Sequence, residues 1–579
     1  MIKQSIIATA VICAVMALAG CNSTAAPAKK FAWQTDDNPN NINCTRSGST
    51  ASVNLSAKDL NMSTTDNRGC FNSNNKFCDL RIYQVMVESF MHGANGAPGV
   101  QQSYGPSKHQ GNLKGIIDNL DYIKSTGVNA IWLTPIFTVT KIEGQSHSDD
   151  LLDGTGYFTS DYFSIDPRFG TKEDMKKLVD TAHSKGIYVF LDGVFGHAKI
   201  NVKTQSPKGN KLVLNRMCRD IGGYDDKMTL KSATCFKVDE SMDFIKEVAT
   251  YWIRELKIDG WRLDQAYQLD SKQWRQVREA IEAESAKKSN TYILNGKKVL
   301  PLGYTVAEIW SENPQEIEKN VFANDGVSSA FNFPLRSQLV RVLATREDPF
   351  TPGSCQAPAK SLNDDIIKKM NGYSRQSIMN NFLTNHDTVR FGDLLQRAKI
   401  TVDGQNNRDY YDAHLTAMSF NAAMSGPLTV YYGDETGDDV KGFSQSPKNC
   451  IMLHQCDDHV SRSDGHVNNL TDAEEKLKEN VSAVLNLRDT HPALAHGKRV
   501  HLYSDHSLYA DFKQYEADKV IYVMNSGTGD RKITINNDVW GKLGLSSKCT
   551  MKSLFGGSVK DNVITAPALS GTFVNVTCR

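Results

Sequence analysis

The stretch LKIDGWRLDQAYQLD, residues 256–270, sets Arg262 and Asp264 two positions apart between the bulky apolar residues Trp261 and Leu263. Residues i and i+2 of a strand share a face, so a guanidinium and a carboxylate stand side by side where burial of unpaired charge is expensive. Three further apolar runs end in groups of the same kind. LDGVFGH carries Asp192 and His197, YTVAEIW carries Glu308, and LTNHD carries Asn385, His386 and Asp387. A lone buried acid is more often a structural ion pair. Acids at four strand ends converging on one mouth repel one another unless a reaction needs them. Glycosidic cleavage needs such carboxyls, one to attack or stabilise the sugar carbon and one to protonate the leaving oxygen. A cation beside Asp264 is expected to lower its pKa and keep it ionised, which suits a nucleophile. Glu308, between the apolar YTVA and Trp310, is expected to be desolvated and raised, which suits a general acid.

Those residues need a scaffold that gathers strand ends. From Leu80 onward short β-like runs alternate with amphipathic helical patterns, as in a parallel α/β fold. The strand runs begin at Arg81, Gly127, Gly186, Ile258, Gly303, Ser328, Ser377 and Gly426. Eight β/α units predict a closed (β/α)8 TIM barrel, whose chemistry sits at the C-terminal ends of its strands. An open doubly wound sheet is the alternative. Some forty residues follow the third strand before the next helix, too many for an ordinary βα loop, so a small inserted lobe is expected at about 198–240. After LNLRDTHPALAHG the pattern becomes β-rich, predicting a C-terminal antiparallel β domain over 498–579 that packs against the barrel. The expected organisation is a signal peptide over 1–20, a tether with a small Cys-containing lobe over 21–78, and the barrel over 79–497.

The chain has 579 residues, 40% of them hydrophobic, with 66 Lys and Arg against 65 Asp and Glu. That is ample for a large core, and it gives no global basic bias toward nucleic acid. Lys3 precedes an apolar run too short for a comfortable membrane span, which reads as an export signal. The run ends in LAGC, similar to the lipobox of bacterial lipoproteins. That resemblance implies cleavage before Cys21, lipidation of its thiol, and anchorage of the exported protein in a membrane. Asn22 favours the outer membrane, facing the periplasm or the cell surface. An ordinary signal peptide with an incidental Cys is the alternative. Beyond Cys13 and Cys21 ten cysteines remain. An even number in an exported chain predicts disulfides, with Cys218–Cys235, Cys450–Cys456 and Cys549–Cys578 as plausible local pairs.

Over roughly residues 80–500 the sequence resembles the α-amylase family, glycoside hydrolase family 13. The carrying motifs occur in family order: LTPIF, the run from GYFTSDYF to LDGVFGH, GWRLDQAY, VAEIW, LTNHD and YYGDE. The resemblance implies Asp264 as nucleophile, Glu308 as general acid/base, and Asp387 as a third carboxylate that binds sugar hydroxyls. It implies that Arg262 holds the nucleophile. Asp192, His197 and His386 would contact the sugar at the cleavage subsite, and Tyr157 would stack on it. The implied reaction is hydrolysis of α-1,4-linked glucans or malto-oligosaccharides with retention of configuration, Asp264 and Glu308 lying about 5–5.5 Å apart. The alternatives are a transglycosylase or isomerase of the same family and, more remotely, a glucan-binding surface protein without turnover. A monomer without organic cofactor is expected. Calcium is common in the family, but two departures bear on it. Gly196 stands where many members have an Asn ligand, and Tyr267-Gln268 stands where many have Lys-His. Asp220, Asp225 and Asp226 in the insert are acids that could serve a relocated ion.

Overall fold

The computed structural model describes residues 46–60, 68–215, 232–345, 357–370, 373–374, 377–398, 408–440, 460–546 and 548–579. The signal peptide, Cys21, Cys218, Cys450, Cys456, Asp220, Asp225 and Asp226 lie outside them.

Eight strands close into a barrel: β1 (Arg81–Val85), β2 (Ala130–Leu133), β3 (Tyr188–Gly193), β4 (Gly260–Leu263), β5 (Tyr304–Ala307), β6 (Ser329–Phe331), β7 (Ile378–Phe382) and β8 (Leu428–Tyr431). Neighbours pair in parallel around the ring, and β8 returns to β1. Each strand falls within the run expected from sequence. Side chains alternate as the pleat requires. Ile82, Ala130, Trp132, Phe190, Tyr304, Val306, Phe331 and Phe382 form one buried cluster. Tyr83, Val85, Ile131, Leu133, Val189, Leu191, Trp261 and Leu263 belong to another, shared with helices such as Lys172–Ser184 and Val238–Leu256. Helix starts follow their caps. The Thr171 and Asp270 side chains accept from backbone N–H groups in the first turns of Lys172–Ser184 and Ser271–Ser285. Two short helices follow β1, Leu113–Asp118 and Leu120–Ser125, separated at Asn119.

After β3 the chain forms a three-stranded antiparallel insert from His197–Lys199, Ala233–Phe236 and Leu214–Asn215. Cys235 within it is disulfide-bonded. The C-terminal domain is a sandwich of a five-stranded antiparallel sheet and a four-stranded sheet, and Cys549 and Cys578 are bonded between adjacent strands.

The expected N-terminal lobe over 21–78 is corrected by the described residues. Ser52–Leu55 is an edge strand of the C-terminal four-stranded sheet, pairing in parallel with Arg531–Ile535. It goes there because Leu55, fully buried, fills that domain's core with Ile533, Ile535 and Trp540. Residues 68–79 instead close the bottom of the barrel, with a Cys70–Cys78 disulfide packed on Ile378 at the start of β7. The C-terminal domain is fixed to the barrel by polar contacts as well as by burial. Lys513 Nζ donates to the carbonyls of Ala423 and Leu494, and Ser419 and Tyr522 share a hydrogen bond of 2.9 Å. His491 pairs with Asp518 at the junction, 2.9 Å apart.

Candidate active site

Strand register assembles the site. Arg262 on β4 lies opposite Asp192 on β3 and opposite Val306 on β5. One step further up the barrel, the Asp264 amide donates to Gly193 O at 3.0 Å and the Glu308 amide donates to Leu263 O at 2.9 Å. The strand ends are therefore locked level with one another, and the acids read from sequence meet around one guanidinium. Arg262 Nη1 donates to Asp192 Oδ1 and to Asp264 Oδ1, each at 2.8 Å. Its Nη2 stands 2.9 Å from Glu308 Oε2, an ion contact not aligned as a hydrogen bond. The guanidinium carbon lies 5.2 Å from the centre of the Trp132 ring and 5.7 Å from that of Tyr157, favourable cation–π placements. Arg262 is 1% exposed, while Asp264 and Glu308 are each 6% exposed.

Among the described residues, Asp264 Oδ2 is buried without a hydrogen-bond partner. Glu308 Oε2 also accepts from the Gln265 amide at 3.0 Å. The Asp192, Asp264 and Glu308 carboxyls are all held above the ordinary carboxylate range by burial, with Arg262 pulling each of them down. The expectation that Arg262 would leave Asp264 low is thus corrected. Desolvation, joined by the charges of Asp192 and Asp387, outweighs the guanidinium. Glu308 is raised, as its apolar setting predicts.

A second chain of groups reaches the same mouth. The Gln84 amide on β1 meets His386 Nδ1 at 2.6 Å, His386 Nε2 meets Tyr157 Oη at 2.7 Å, and Tyr157 Oη donates to Asp192 Oδ2 at 2.9 Å. The polarity is consistent throughout: an amide N–H donates to Nδ1, so the imidazole proton sits on Nε2 and points at the phenol. Tyr157 stacks on His386, planes 2° apart. Trp132 Nε1 donates to Asp192 at 3.2 Å, so this tryptophan is core and site wall at once. Asp387 accepts from Arg462 Nη2 at 2.6 Å, while Arg462 Nε donates to His386 O at 3.0 Å. His197 is fully packed, its Nδ1 facing the Gln268 amide at 3.1 Å and its Nε2 facing Tyr157 O at 3.1 Å. Every described residue assigned to the site from sequence is therefore in this one assembly.

Gln84 and Arg462 were not legible beforehand. Gln84 had a signal, a polar residue in the apolar β1 run. Arg462, 75 residues after Asp387, had none. Asp161, on the loop strand before β3, is paired with Lys203 at 2.6 Å.

The family's usual calcium does not fit at its common position. Gly196 offers no side-chain oxygen, and the space beside it is filled by the Gln268 side chain. Among the described residues no group of three or more His, Cys, Asp or Glu is disposed to hold a metal.

The profile of the family described as "Alpha amylase, catalytic domain" matches residues 84–211 and 235–494. The chain is 26% identical over 493 residues to a cyclomaltodextrinase of Thermoanaerobacter pseudethanolicus, covering 80% of this chain and 73% of the relative. It is 30% identical over 386 residues to an intracellular maltogenic amylase of Bacillus subtilis, covering 61% and 55% respectively. Among solved structures, AmyP in complex with maltose is 39% identical with a TM-score of 0.77, covering 86% of this chain and 97% of that one. A glutamate-to-glutamine variant of AmyP in complex with maltotriose matches at the same identity and TM-score, covering 87% and 98%. With the family profile spanning the barrel and the carboxyls gathered at its mouth, this chain belongs to the α-amylase family and is a glycoside hydrolase.

Proposed function

We propose that this protein hydrolyses α-1,4 bonds in malto-oligosaccharides and starch-like glucans with retention at the anomeric carbon. The observation that carries the reading is the shared guanidinium. Arg262 contacts Asp264 through one nitrogen and Glu308 through the other, which keeps both carboxyls within reach of one scissile bond. The names of the relatives, cyclomaltodextrinase and maltogenic amylase, and the maltose and maltotriose complexes of AmyP support the substrate class.

In the first step Asp264 Oδ2, the oxygen that no described residue hydrogen-bonds, attacks the anomeric carbon. Glu308 gives its proton to the glycosidic oxygen, which leaves as a new sugar hydroxyl. In the second step Glu308, now ionised, takes a proton from water as that water attacks the same carbon. The bond to Asp264 breaks and Glu308 is again protonated. Arg262 stays charged throughout and stabilises whichever carboxylate carries the negative charge. Asp387, oriented by Arg462, and the polar edge made by His386, Tyr157, Asp192 and His197 are assigned to the sugar held at the cleavage subsite.

The lipobox-like LAGC supports an exported protein anchored through lipid on Cys21, and Asn22 supports the outer membrane, facing the periplasm or the cell surface. No organic cofactor enters this reaction. A time course on maltoheptaose tests the function. A ladder of shorter sugars with an α-anomer as first product is expected. Products longer than the substrate as the main species would overturn hydrolysis in favour of transfer.

A further inference from the structure

Gly196 and Gln268 fit each other. A Cβ at position 196 would lie 2.0 Å from Gln268 Oε1, 2.5 Å from its Cβ and 2.8 Å from its Cδ, distances no packed carbon accepts. Gly196 is not among the residues of positive φ, so the requirement for glycine at this position is space rather than backbone conformation. The space is taken by an amide that reaches His197 Nδ1 at 3.1 Å and the Gln265 side chain at 2.9 Å.

Gln268 ends the short turn Ala266–Gln268 that follows the nucleophile. The same turn binds Glu308 twice through its backbone: Gln265 N donates to Glu308 Oε2 at 3.0 Å, and Ala266 N donates to Glu308 O at 2.9 Å. Its entry residue Gln265 is left-handed at φ 39°, a conformation costly for a non-glycine residue unless its surroundings hold it. Tying that turn to His197 fixes β3, β4 and β5 together at the point where they carry their reacting groups.

Proton placement makes the tie specific. Tyr157 O can only accept, so a neutral His197 carries its proton on Nε2 and its Nδ1 accepts. Burial pushes the His197 pKa down to about 4, which keeps the ring neutral. The amide as placed sets Gln268 Oε1 3.1 Å from Nδ1 and donates Nε2 to Gln265 Oε1 at 2.9 Å; a neutral ring calls for the two amides turned over, with the Gln268 N–H at Nδ1, an orientation that such networks assign. Lys199 Nζ, on a side chain 1% exposed, binds Asp153 and donates to Gln145 at 2.9 Å.

We infer that Gln268 is the positioning residue that braces the cleavage site of this protein, an uncharged side-chain bridge between the His197 and Asp264 loops, filling the space beside Gly196 where the family resemblance would put a calcium-ligating Asn. The inference rests on the hydrolase reading of the proposed function.

The test uses the full chain and maltoheptaose. Gln268→Leu fills the same space beside Gly196 and makes no hydrogen bond. It is expected to lower kcat by about 10-fold or more with KM changed by less than about 2-fold. A residue that only packs would leave kcat unmoved, and an unmoved kcat overturns the brace. On the wild-type chain, excess EDTA should leave both turnover and melting temperature unchanged. A fall in either that Ca2+ restores overturns it also, and this measurement decides even where the variant does not fold. A wild-type chain without turnover removes the hydrolase reading together with the brace; normal wild-type turnover with a reversed outcome removes the brace alone.

Discussion

The guanidinium of Arg462 stands 2.6 Å from Oδ1 of Asp387, a residue 75 positions earlier in the chain, and the same side chain donates to His386 O at 3.0 Å. Two adjacent residues of the site are thus held by one group from the segment after β8. Arg462→Ala leaves a largely buried carboxylate without its cation, a costly vacancy. Turnover is expected to fall about 100-fold, and a loss of less than about 3-fold would show that Asp387 does not depend on Arg462 to hold the sugar. Arg462→Lys restores a point charge but not the fork that serves both residues, so it should recover only part of the loss.

Asp264→Asn should remove turnover by several orders of magnitude while the fold persists. Its effect on stability has a definite sign. The folded-state pKa of Asp264 is raised above its ordinary 3.8 by burial. A raised group favours the folded state at low pH, and that contribution is lost as pH rises through the folded value. The substitution should therefore raise the melting temperature near about pH 8, and the gain should shrink as pH falls through about 7 and be gone below about 4. A variant less stable than wild type at the higher pH would contradict the burial account.

Glu308→Gln separates the two steps. Glycosyl transfer to Asp264 needs a proton only when the leaving group is poor. Maltoheptaose turnover should be lost, whereas an α-maltosyl fluoride should still form the glycosyl-enzyme, seen as trapped mass on the intact chain. External azide should then release an α-azide product, since azide displaces Asp264 from the face that water would use. Loss of reaction with the fluoride would place Glu308 outside the acid/base role.

The pH profile follows from the same burial. Asp264 must be ionised and Glu308 protonated, and both are held above their ordinary 3.8 and 4.5. The kcat/KM profile should be bell-shaped, with both limbs belonging to the coupled carboxyls rather than to one residue each. Its acid limb should lie above the unperturbed carboxylate values. A midpoint below about 4 would rule out the desolvated pair.

The sequence by itself determined the local chemistry. Each barrel strand was legible because a short apolar run must be buried, and its polar end must then surface at the rim. Arg262 and Asp264 were legible because strand alternation fixes their shared face. Tertiary structure decided what depends on distant partners. Ser52–Leu55 joins a sheet whose nearest strand begins at Arg531, and no local pattern names that partner. Whether Asp264 sits low or high in pKa depends on the balance between one guanidinium, two neighbouring carboxylates and burial, a sum over the assembled site. Gln84 and Arg462 enter it through barrel closure and a returning loop. The departures at Gly196 and Gln268 were visible singly in the sequence. That one makes room for the other became visible only when β3 and β4 lay side by side, because packing is a property of surfaces in contact and not of either residue alone.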